Sequence, residues 1–212
     1  MRGISFNGIH SYRDLNLVMS SADIPPASPK TVFVDVPGGD GTVDLSEALG
    51  GIRFSNREAS FVFTVLPTDD FEQKKTQISN LLNGKRVEII LDKDPEYYWT
   101  GRCAVNEYAS DRRIHKITVG ATLSPYKLKN EPTTVTLTAT GTAQSRTLTN
   151  ARMPVVPEIT CTAAVTAVFG GNTYQMNAGT HKIPGIRLTE GENVIQVSGS
   201  GTVTIKYREG DL

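Results

Sequence analysis

Apolar and polar residues alternate along short segments of this sequence, and only a few residues separate one segment from the next. Residues 86–91, 97–102, 101–108 and 114–123 follow the two-residue period of strands. Gaps of this length join neighbouring antiparallel strands and leave no room for the crossover helices that parallel strands require. The pattern predicts an antiparallel meander, with its last turn at Ser110-Asp111-Arg112-Arg113. In residues 61–66 both alternating sets are mostly apolar, which predicts a strand buried on both faces.

One helix is predicted among these strands, over about residues 69–83. Thr68 provides an N-cap, and the following acidic pair suits the positive end of the helix dipole. Asn83-Gly84 provides a left-handed stop. The apolar residues at helical spacing are expected to pack on the sheet of the same domain rather than to form a groove for a partner. They are Phe71, Ile78, Leu81 and Leu82.

The composition changes near residue 130. Residues 1–130 carry 32 of the 44 charges, whereas residues 131–212 carry 16 of the 24 threonines. The change falls at residues 124–132, a charged stretch bracketed by Pro125 and Pro132. We therefore expect two domains, 1–130 and 131–212. The first is predicted to be an antiparallel β-sandwich or barrel with one α-helix.

The second domain is predicted to be a small β-sandwich or jelly roll, because short strands alternate with Gly, Pro and Asn turns. Its last two strands, 193–198 and 202–207, are predicted to form a hairpin through Gly199-Ser200-Gly201. The other strands are predicted at 133–139, 147–150, 158–168, 172–176 and 180–183.

Charge and hydropathy exclude several classes of protein. The 22 Lys+Arg balance 22 Asp+Glu, which argues against a protein built around nucleic-acid backbone binding. No apolar run approaches the roughly 20 residues that span a bilayer. The N-terminus lacks the apolar stretch of a signal peptide, so a soluble, unsecreted chain is expected.

The residues that could carry chemistry do not form a known catalytic pattern. His10, His115 and His181 are far apart, no GxSxG elbow is present, and each His is expected to be a sheet-surface or cap residue. Cys103 and Cys161 are expected to be buried free thiols, with a disulfide or reactive thiol as the alternative.

The glycine-rich segment 37–47 has neither the GK[ST] of a phosphate loop nor the order of an EF-hand. Its carboxylates at 40, 44 and 47 could hold calcium, but a structural turn with positive φ at the glycines is favoured. Tyr97-Tyr98-Trp99 could stack a sugar, although a core strand is the favoured interpretation. We predict no enzyme, no cofactor, and no catalytic, cofactor-binding or metal-binding residue.

Several segments resemble, in order and spacing, the distal tail (Dit) proteins of long-tailed, non-contractile phages and prophages. In the first domain they are GISFNGIHS (3–11), PGGDGTVDL (37–45), NREASFVF (56–63), WTGR (99–102) and ATLSPYK (121–127). The end of the chain, GENVIQV (191–197) to TVTIKYREG (202–210), resembles the terminal hairpin of the same proteins.

The resemblance implies a structural protein of the virion. Its first domain would form a homo-hexameric hub ring at the tail tip, with a channel through which DNA passes without specific binding. The second domain would be a galectin-like β-sandwich that serves as an outer platform. The implied partners are the tail tube protein and the tail-tip, baseplate or receptor-binding proteins, without membrane insertion. The chain would be made in the bacterial host cytoplasm and reside in the virion.

A ring requires a heterologous joint between subunits, and the sequence offers one candidate. The segment between Met19 and Asp35 is rich in proline (Pro25, Pro26 and Pro29), so an extended or hairpin arm is expected, with an exposed loop as the alternative.

Two other functions remain open at this point. A module that binds cell-wall sugar would need exposed aromatic residues, and the second domain has only Phe169, Tyr174 and Tyr207. A glycan-cleaving enzyme would need two convergent carboxylates. The acids available for it are Glu158, Glu190 and Glu192.

Overall fold

The structure, a computed structural model, describes residues 3–48, 50–111 and 114–212. The chain separates into two compact units, and the division falls between Lys127 and Leu128. Both are built from antiparallel strands, and one helix lies in the described part of the first. The prediction of a mainly β protein with one helix is therefore confirmed. The roles expected for the two domains stay predictions.

The first unit is organised around one twisted sheet with the order β2-β1-β7-β8-β9-β6-β3. Its strands are β1 (Ile4–Phe6), β2 (Ile9–His10), β3 (Leu17–Asp23), β6 (Arg57–Val65), β7 (Arg86–Leu91), β8 (Tyr97–Asp111) and β9 (Ile114–Leu123). A separate pair, β4 (Phe33–Asp35) and β5 (Thr42–Asp44), lies between β3 and β6 in the sequence. The predicted meander is present in the consecutive strands β7, β8 and β9.

Two predicted strands, 97–102 and 101–108, are one continuous strand, β8. Its register with β9 shifts between Val105 and Glu107, so Asn106 is an extra residue in a β-bulge. A Cβ on Gly120 would lie only 2.4 Å from the side-chain nitrogen of Asn106, which explains the glycine opposite the bulge. The turn predicted after this strand includes Arg112 and Arg113, which lie outside the described residues.

The core of the first unit lies between the sheet and the helix. Phe6 makes edge-to-face contacts with Phe61 and Phe63, at ring-centroid distances of 6.2 and 6.1 Å. Ile78 and Leu82 of the helix join the same core, so the predicted packing of the helix on its own sheet is confirmed. The prediction that residues 61–66 are buried on both faces is wrong. Their second face stays half-exposed, because it carries polar contacts such as Ser20 Oγ to Thr64 Oγ1 (2.7 Å).

The helix, α1 (Phe71–Leu82), is slightly shorter than predicted. Asp70 rather than Thr68 is its N-cap, because the Asp70 carboxylate accepts a hydrogen bond from the Gln73 N–H (3.0 Å). At the other end Gly84 adopts φ +73°, as expected for the glycine that ends a helix.

The second unit contains two antiparallel layers that share a core and one long strand. The strands are β11 (Thr133–Thr140), β12 (Gln144–Asn150), β13 (Glu158–Cys161), β14 (Val165–Phe169), β15 (Asn172–Met176), β16 (Gly179–His181) and β17 (Gly191–Tyr207). The first half of β17 pairs with β12 and β14, and its second half pairs with β11 and β13. The Lys129 N–H donates to Glu209 O (3.0 Å), where β10 (Lys127–Lys129) pairs with β18 (Gly210–Asp211).

The predicted hairpin at Gly199-Ser200-Gly201 is wrong. These residues lie within the continuous strand β17, at the point where it passes from one layer to the other. Gly199 and Gly201 adopt φ +125° and +98°, so they bend the strand instead of reversing it. The predicted strand 158–168 is also divided, into β13 and β14, beside this bend in β17.

Candidate subunit interface

A long excursion leaves the sheet of the first unit between Asp23, the last residue of β3, and Arg57, the first of β6. We call residues 24–56 the arm. Its outer part is the hairpin of β4 and β5, in which Val34 pairs with Val43. Nearer the sheet, Pro29 and Phe54 form an isolated antiparallel bridge. The sequence predicted an extended or hairpin arm between Met19 and Asp35. The structure places residues 19–23 in β3 of the sheet, so the arm begins at residue 24, and it continues to residue 56.

Local hydrogen bonds give the hairpin its shape. Gly38 and Gly41 adopt positive φ (+80° and +74°), which confirms the predicted turn. At the open end, Ser46 Oγ accepts from the Val32 N–H, and the Asp44 carboxylate accepts from the Ser46 N–H (both 2.9 Å). The hydrogen bonds from Ser46 hold the pKa of Asp44 below its usual value. Among the described residues, no group of three or more His, Cys, Asp or Glu could hold a metal ion.

The arm exposes apolar side chains that a protein normally buries. Phe33 is 58% exposed and Val32 is 53% exposed. A two-stranded hairpin has no core of its own in which to bury them. Several exposed apolar residues on one projecting element mark an interaction surface rather than ordinary surface variation. The set is Val32, Phe33, Val34, Val36, Val43 and Leu45.

The arm is also acidic. From residue 31 to residue 52 the sequence has no Lys or Arg. Over the same stretch it has Asp35, Asp40, Asp44 and Glu47. A partner for this surface must therefore offer apolar area and positive charge together.

A buried arginine anchors the base of the arm. The Arg57 side chain donates from Nε to Pro125 O (2.9 Å) and from Nη1 to Pro25 O (3.1 Å). Its guanidinium carbon lies 4.7 Å from the centre of the Trp99 ring. Burial lowers the pKa of Arg57 from its usual value, and its Nη2 has no hydrogen-bond partner among the residues that the structure describes. One side chain thus links the start of the arm, the body of the sheet and the end of the unit.

Backbone and ring contacts hold the two limbs of the arm together near the sheet. The Lys30 N–H donates to Arg53 O (2.7 Å), and the Ser55 N–H donates to Ser28 O (2.9 Å). Phe54 packs edge-to-face on Tyr126, with ring centroids 5.9 Å apart. The base of the arm is therefore fixed to the unit, whereas the hairpin projects with its apolar residues exposed.

Three segments that carried the resemblance converge at this base. They contribute Arg57 from NREASFVF, Trp99 from WTGR and Pro125 from ATLSPYK. The glycine of WTGR is required by packing, because a Cβ on Gly101 would lie 2.5 Å from the backbone oxygen of Thr122. Sequence reasoning missed this convergence, since none of the three segments indicates which others it will contact.

The three histidines serve local structure. His10 Nδ1 accepts from the N–H groups of Tyr12 and Arg13 (both 3.1 Å), and Nε2 lies 3.2 Å from both oxygens of Asp92. His115 Nδ1 lies 2.9 Å from Ser110 Oγ. His181 Nε2 lies 2.8 Å from Asn177 O.

Both cysteines are buried and free, as expected. Burial raises the pKa of Cys103 to about 11 and also raises the pKa of Cys161, so neither thiol is activated.

The residues considered for sugar chemistry have structural roles. Tyr207 is buried and donates from its hydroxyl to Thr149 O (2.6 Å). Phe169 and Tyr174 are half-buried against the core of the second unit. Glu158 and Glu190 pair with Lys182 and Arg152, respectively, and Glu192 lies on the exposed side of β17.

The two units and the arm together have a counterpart among solved structures. The phage SPP1 Dit protein (gp 19.1), described as a paradigm of the hub of the adsorption apparatus in phages that infect Gram-positive bacteria, superposes with a TM-score of 0.71. The match covers 98% of this chain and 99% of that one, at 15% sequence identity. This chain has the Dit fold. No protein-family model and no curated protein matches its sequence.

The Dit fold accounts for both units at once, because the match runs along nearly the whole of each chain. Two main antiparallel sheets and one helix are the features of that fold described above. In the described part of the chain, no helix is long and apolar enough to cross a bilayer.

Proposed function

We propose that this protein is the distal tail hub of a phage or prophage: a structural, non-enzymatic ring at the tail tip. In this role it joins the tail tube to the baseplate or adsorption apparatus. The fold is that of the SPP1 Dit protein over 98% of the chain. The observation that carries the proposal is the arm, because its hairpin exposes apolar side chains to water, and such a surface marks a site of protein–protein contact.

The arm suits a ring because it would contact a different surface on the neighbouring subunit. An interface between two different surfaces is head-to-tail, and head-to-tail interfaces close into rings when the rotation between subunits allows it. Its six apolar side chains are 43–58% exposed, so burying the remainder would supply roughly 1 kcal/mol each, or about 5–9 kcal/mol together. That is of the same order as the roughly 4–15 kcal/mol lost in immobilising a subunit.

The first unit would form a homo-hexamer around a channel, with the second unit as an outer, galectin-like platform. The partners would be the tail tube protein and the tail-tip, baseplate or receptor-binding proteins. DNA would pass through the channel without specific binding, which is compatible with 16 acidic and 16 basic residues in residues 1–130. The protein would be made in the host cytoplasm and reside at the tail tip of the virion.

Direct sugar binding by the second unit is not supported by its surface. A sugar-binding site needs aromatic faces open to solvent. Its aromatic residues are buried or half-buried: Phe169, Tyr174 and Tyr207.

The mass of the full-length protein in solution tests the proposal. We expect rings by light scattering and electron microscopy, and monomers once residues 31–52 are replaced by a short Gly-Ser linker. Phe33→Thr/Leu45→Thr, which keeps strand-forming residues but removes apolar area, should weaken assembly in the same way.

The matched control is Ile114→Thr/Val194→Thr. These residues are also more than half exposed but lie outside the arm, so the variant should assemble normally. Unchanged assembly of the arm-deleted protein would contradict the proposal.

A further inference from the structure

A cleft of about 660 Å³ opens on the face of the first unit's sheet that is turned away from its core. Along β7, β8 and β9 this face carries Arg86, Arg102 and Thr122, whereas the next residues, Val87, Cys103 and Leu123, are buried. Further polar groups that line the cleft are Asn56, Thr100 and Ser124.

The two arginines of the cleft lie directly opposite each other. Arg86 and Arg102 are Cα partners in the antiparallel register of β7 and β8. Like charges in such a pair repel and destabilise the sheet unless a counter-charge lies between them. Arg102 donates from Nη1 to Gly84 O. In the described ranges neither arginine forms an ion pair with a carboxylate.

Nearby acids do not neutralise the pair. Glu58 continues the same row but lies two strands from Arg102, beyond Thr122, and forms no ion pair among the described residues; its carboxylate accepts from Thr122 Oγ1 (3.0 Å). Glu88, next on this face of β7, is exposed and forms no ion pair among the described residues. The cleft is therefore lined by two guanidinium groups from neighbouring strands, and a pair of this kind suits a carboxylate.

We infer that this cleft receives the arm of a second copy of this chain, with carboxylates of the arm paired to Arg86 and Arg102. This inference rests on the proposed ring. The charges are complementary: residues 31–52 carry four acids and no base, and the cleft carries two arginines that form no ion pair among the described residues. Asn56, at the base of the arm, lines the cleft, so every subunit has a donor arm beside its own receptor.

The acids of the arm can bind without breaking its hairpin. Among the described residues, no hydrogen bond or ion pair involves the carboxylates of Asp35 and Asp40. Asp44 is bound to Ser46, which keeps it ionised, so it adds negative charge beside the apolar residues. An arm docked here would therefore neutralise the two arginines without losing its hairpin.

A binding cycle between full-length protein and an arm peptide tests the inference. The receptor is the variant Asp35→Asn/Asp40→Asn/Asp44→Asn/Glu47→Gln, whose own arm is neutral and should leave the cleft free. A fluorescent peptide of residues 31–52, closed by a terminal disulfide, is titrated into it at low salt. We expect binding that weakens as salt is raised, and a peptide with the same four neutral substitutions should bind roughly tenfold to a hundredfold more weakly.

Adding Arg86→Gln/Arg102→Gln to the receptor closes the cycle. The affinity of the charged peptide should fall by the same factor, so that the charged and neutral peptides bind equally well. Arg146→Gln/Arg187→Gln, two exposed arginines of the second unit, is the matched control and should change nothing. The inference is overturned by absence of binding, by equal binding of the two peptides, or by a difference that persists without Arg86 and Arg102.

DNA is the competing anion. Short duplex DNA that binds through Arg86 and Arg102 and is not displaced by the charged peptide would assign the cleft to phosphates and overturn the inference. Failure of this inference can be distinguished from failure of the proposed function. Rings that require the arm but still form with Arg86→Gln/Arg102→Gln would contradict the cleft alone.

Discussion

The guanidinium of Arg57 lies over the ring of Trp99, 4.7 Å from its centre. It also donates to two backbone oxygens, those of Pro25 at the start of the arm and Pro125 near the end of the first unit. Arg57 is only 6% exposed, and none of the ion pairs among the described residues includes it. A buried cation without a carboxylate is costly unless carbonyl oxygens and an aromatic face replace water. The arm is therefore attached through an interaction that depends on arginine geometry.

We predict that Arg57→Lys destabilises the first unit by about 2 kcal/mol, because one ammonium cannot reach both carbonyl groups and also stack on the ring. Urea unfolding followed by Trp fluorescence measures the change in the free energy of unfolding. Limited proteolysis should also show faster cleavage within the arm. Arg53→Lys, an exposed arginine within the arm itself, is the control, and a variant at position 57 as stable as the control would refute this role.

Gly101 is predicted to tolerate no side chain. An alanine Cβ would lie 2.5 Å from Thr122 O and 3.0 Å from the Cα of Leu123, and these backbone atoms cannot move without separating β8 from β9. We expect Gly101→Ala to cost about 1–3 kcal/mol in the free energy of unfolding, measured by urea denaturation. Gly39→Ala is the matched control, since its Cβ would lie at an ordinary 3.4 Å from Val36 O. Equal stability of the two variants would show that the sheet can adjust at Gly101.

Asp92 is predicted to make the first unit sensitive to acid. Burial raises the pKa of Asp92, but the hydrogen bonds from His10 and the Gly3 N–H and the charges of His10 and Arg13 outweigh burial and lower it overall. A lowered pKa in the folded state stabilises the protein above the unfolded pKa, and this contribution is lost as pH falls through the folded value. Asp92→Asn should therefore be less stable than wild type at pH 7, and the difference should shrink below about pH 4.

Thermal melting of wild type and Asp92→Asn between pH 7 and pH 3 measures this dependence. Glu96→Gln, which changes an exposed carboxylate in the same turn as Asp92, should melt with wild type at every pH. A difference between wild type and Asp92→Asn that stays constant with pH would mean that Asp92 acts through shape rather than charge.

Much of the fold follows from the sequence, because its strands and helix have strong periodic patterns. The alternation of β7 and β9 gave their bounds correctly, and the Asn83-Gly84 stop ended the helix where the structure ends it. Helix N-caps are less certain, since Thr68, Asp69 and Asp70 can all cap and only the backbone decides which one does.

The site was predictable only in part. Prolines indicate an arm between Met19 and Asp35, and glycines indicate a turn in the segment 37–47. The apolar residues on both sides of that turn are the signal that joins them into one hairpin. The cleft could not be found in this way. Arg86 and Arg102 become neighbours through the register of two strands, and the sequence does not state register across a turn.

The bend in β17 is predicted to depend on Gly199. A Cβ on Gly199 would lie 2.8 Å from Ala164 O and 2.9 Å from the Cα of Val165, and φ at Gly199 is +125°. Gly199→Ala should therefore strain the bend that lets one strand serve both layers. We expect a loss of about 2 kcal/mol or more in the stability of the second unit, measured by hydrogen exchange of β14 and β17. Ser200→Ala, at the neighbouring exposed position, is the control and should exchange as wild type does; fast exchange in both variants would place the weakness in the strand rather than in the glycine.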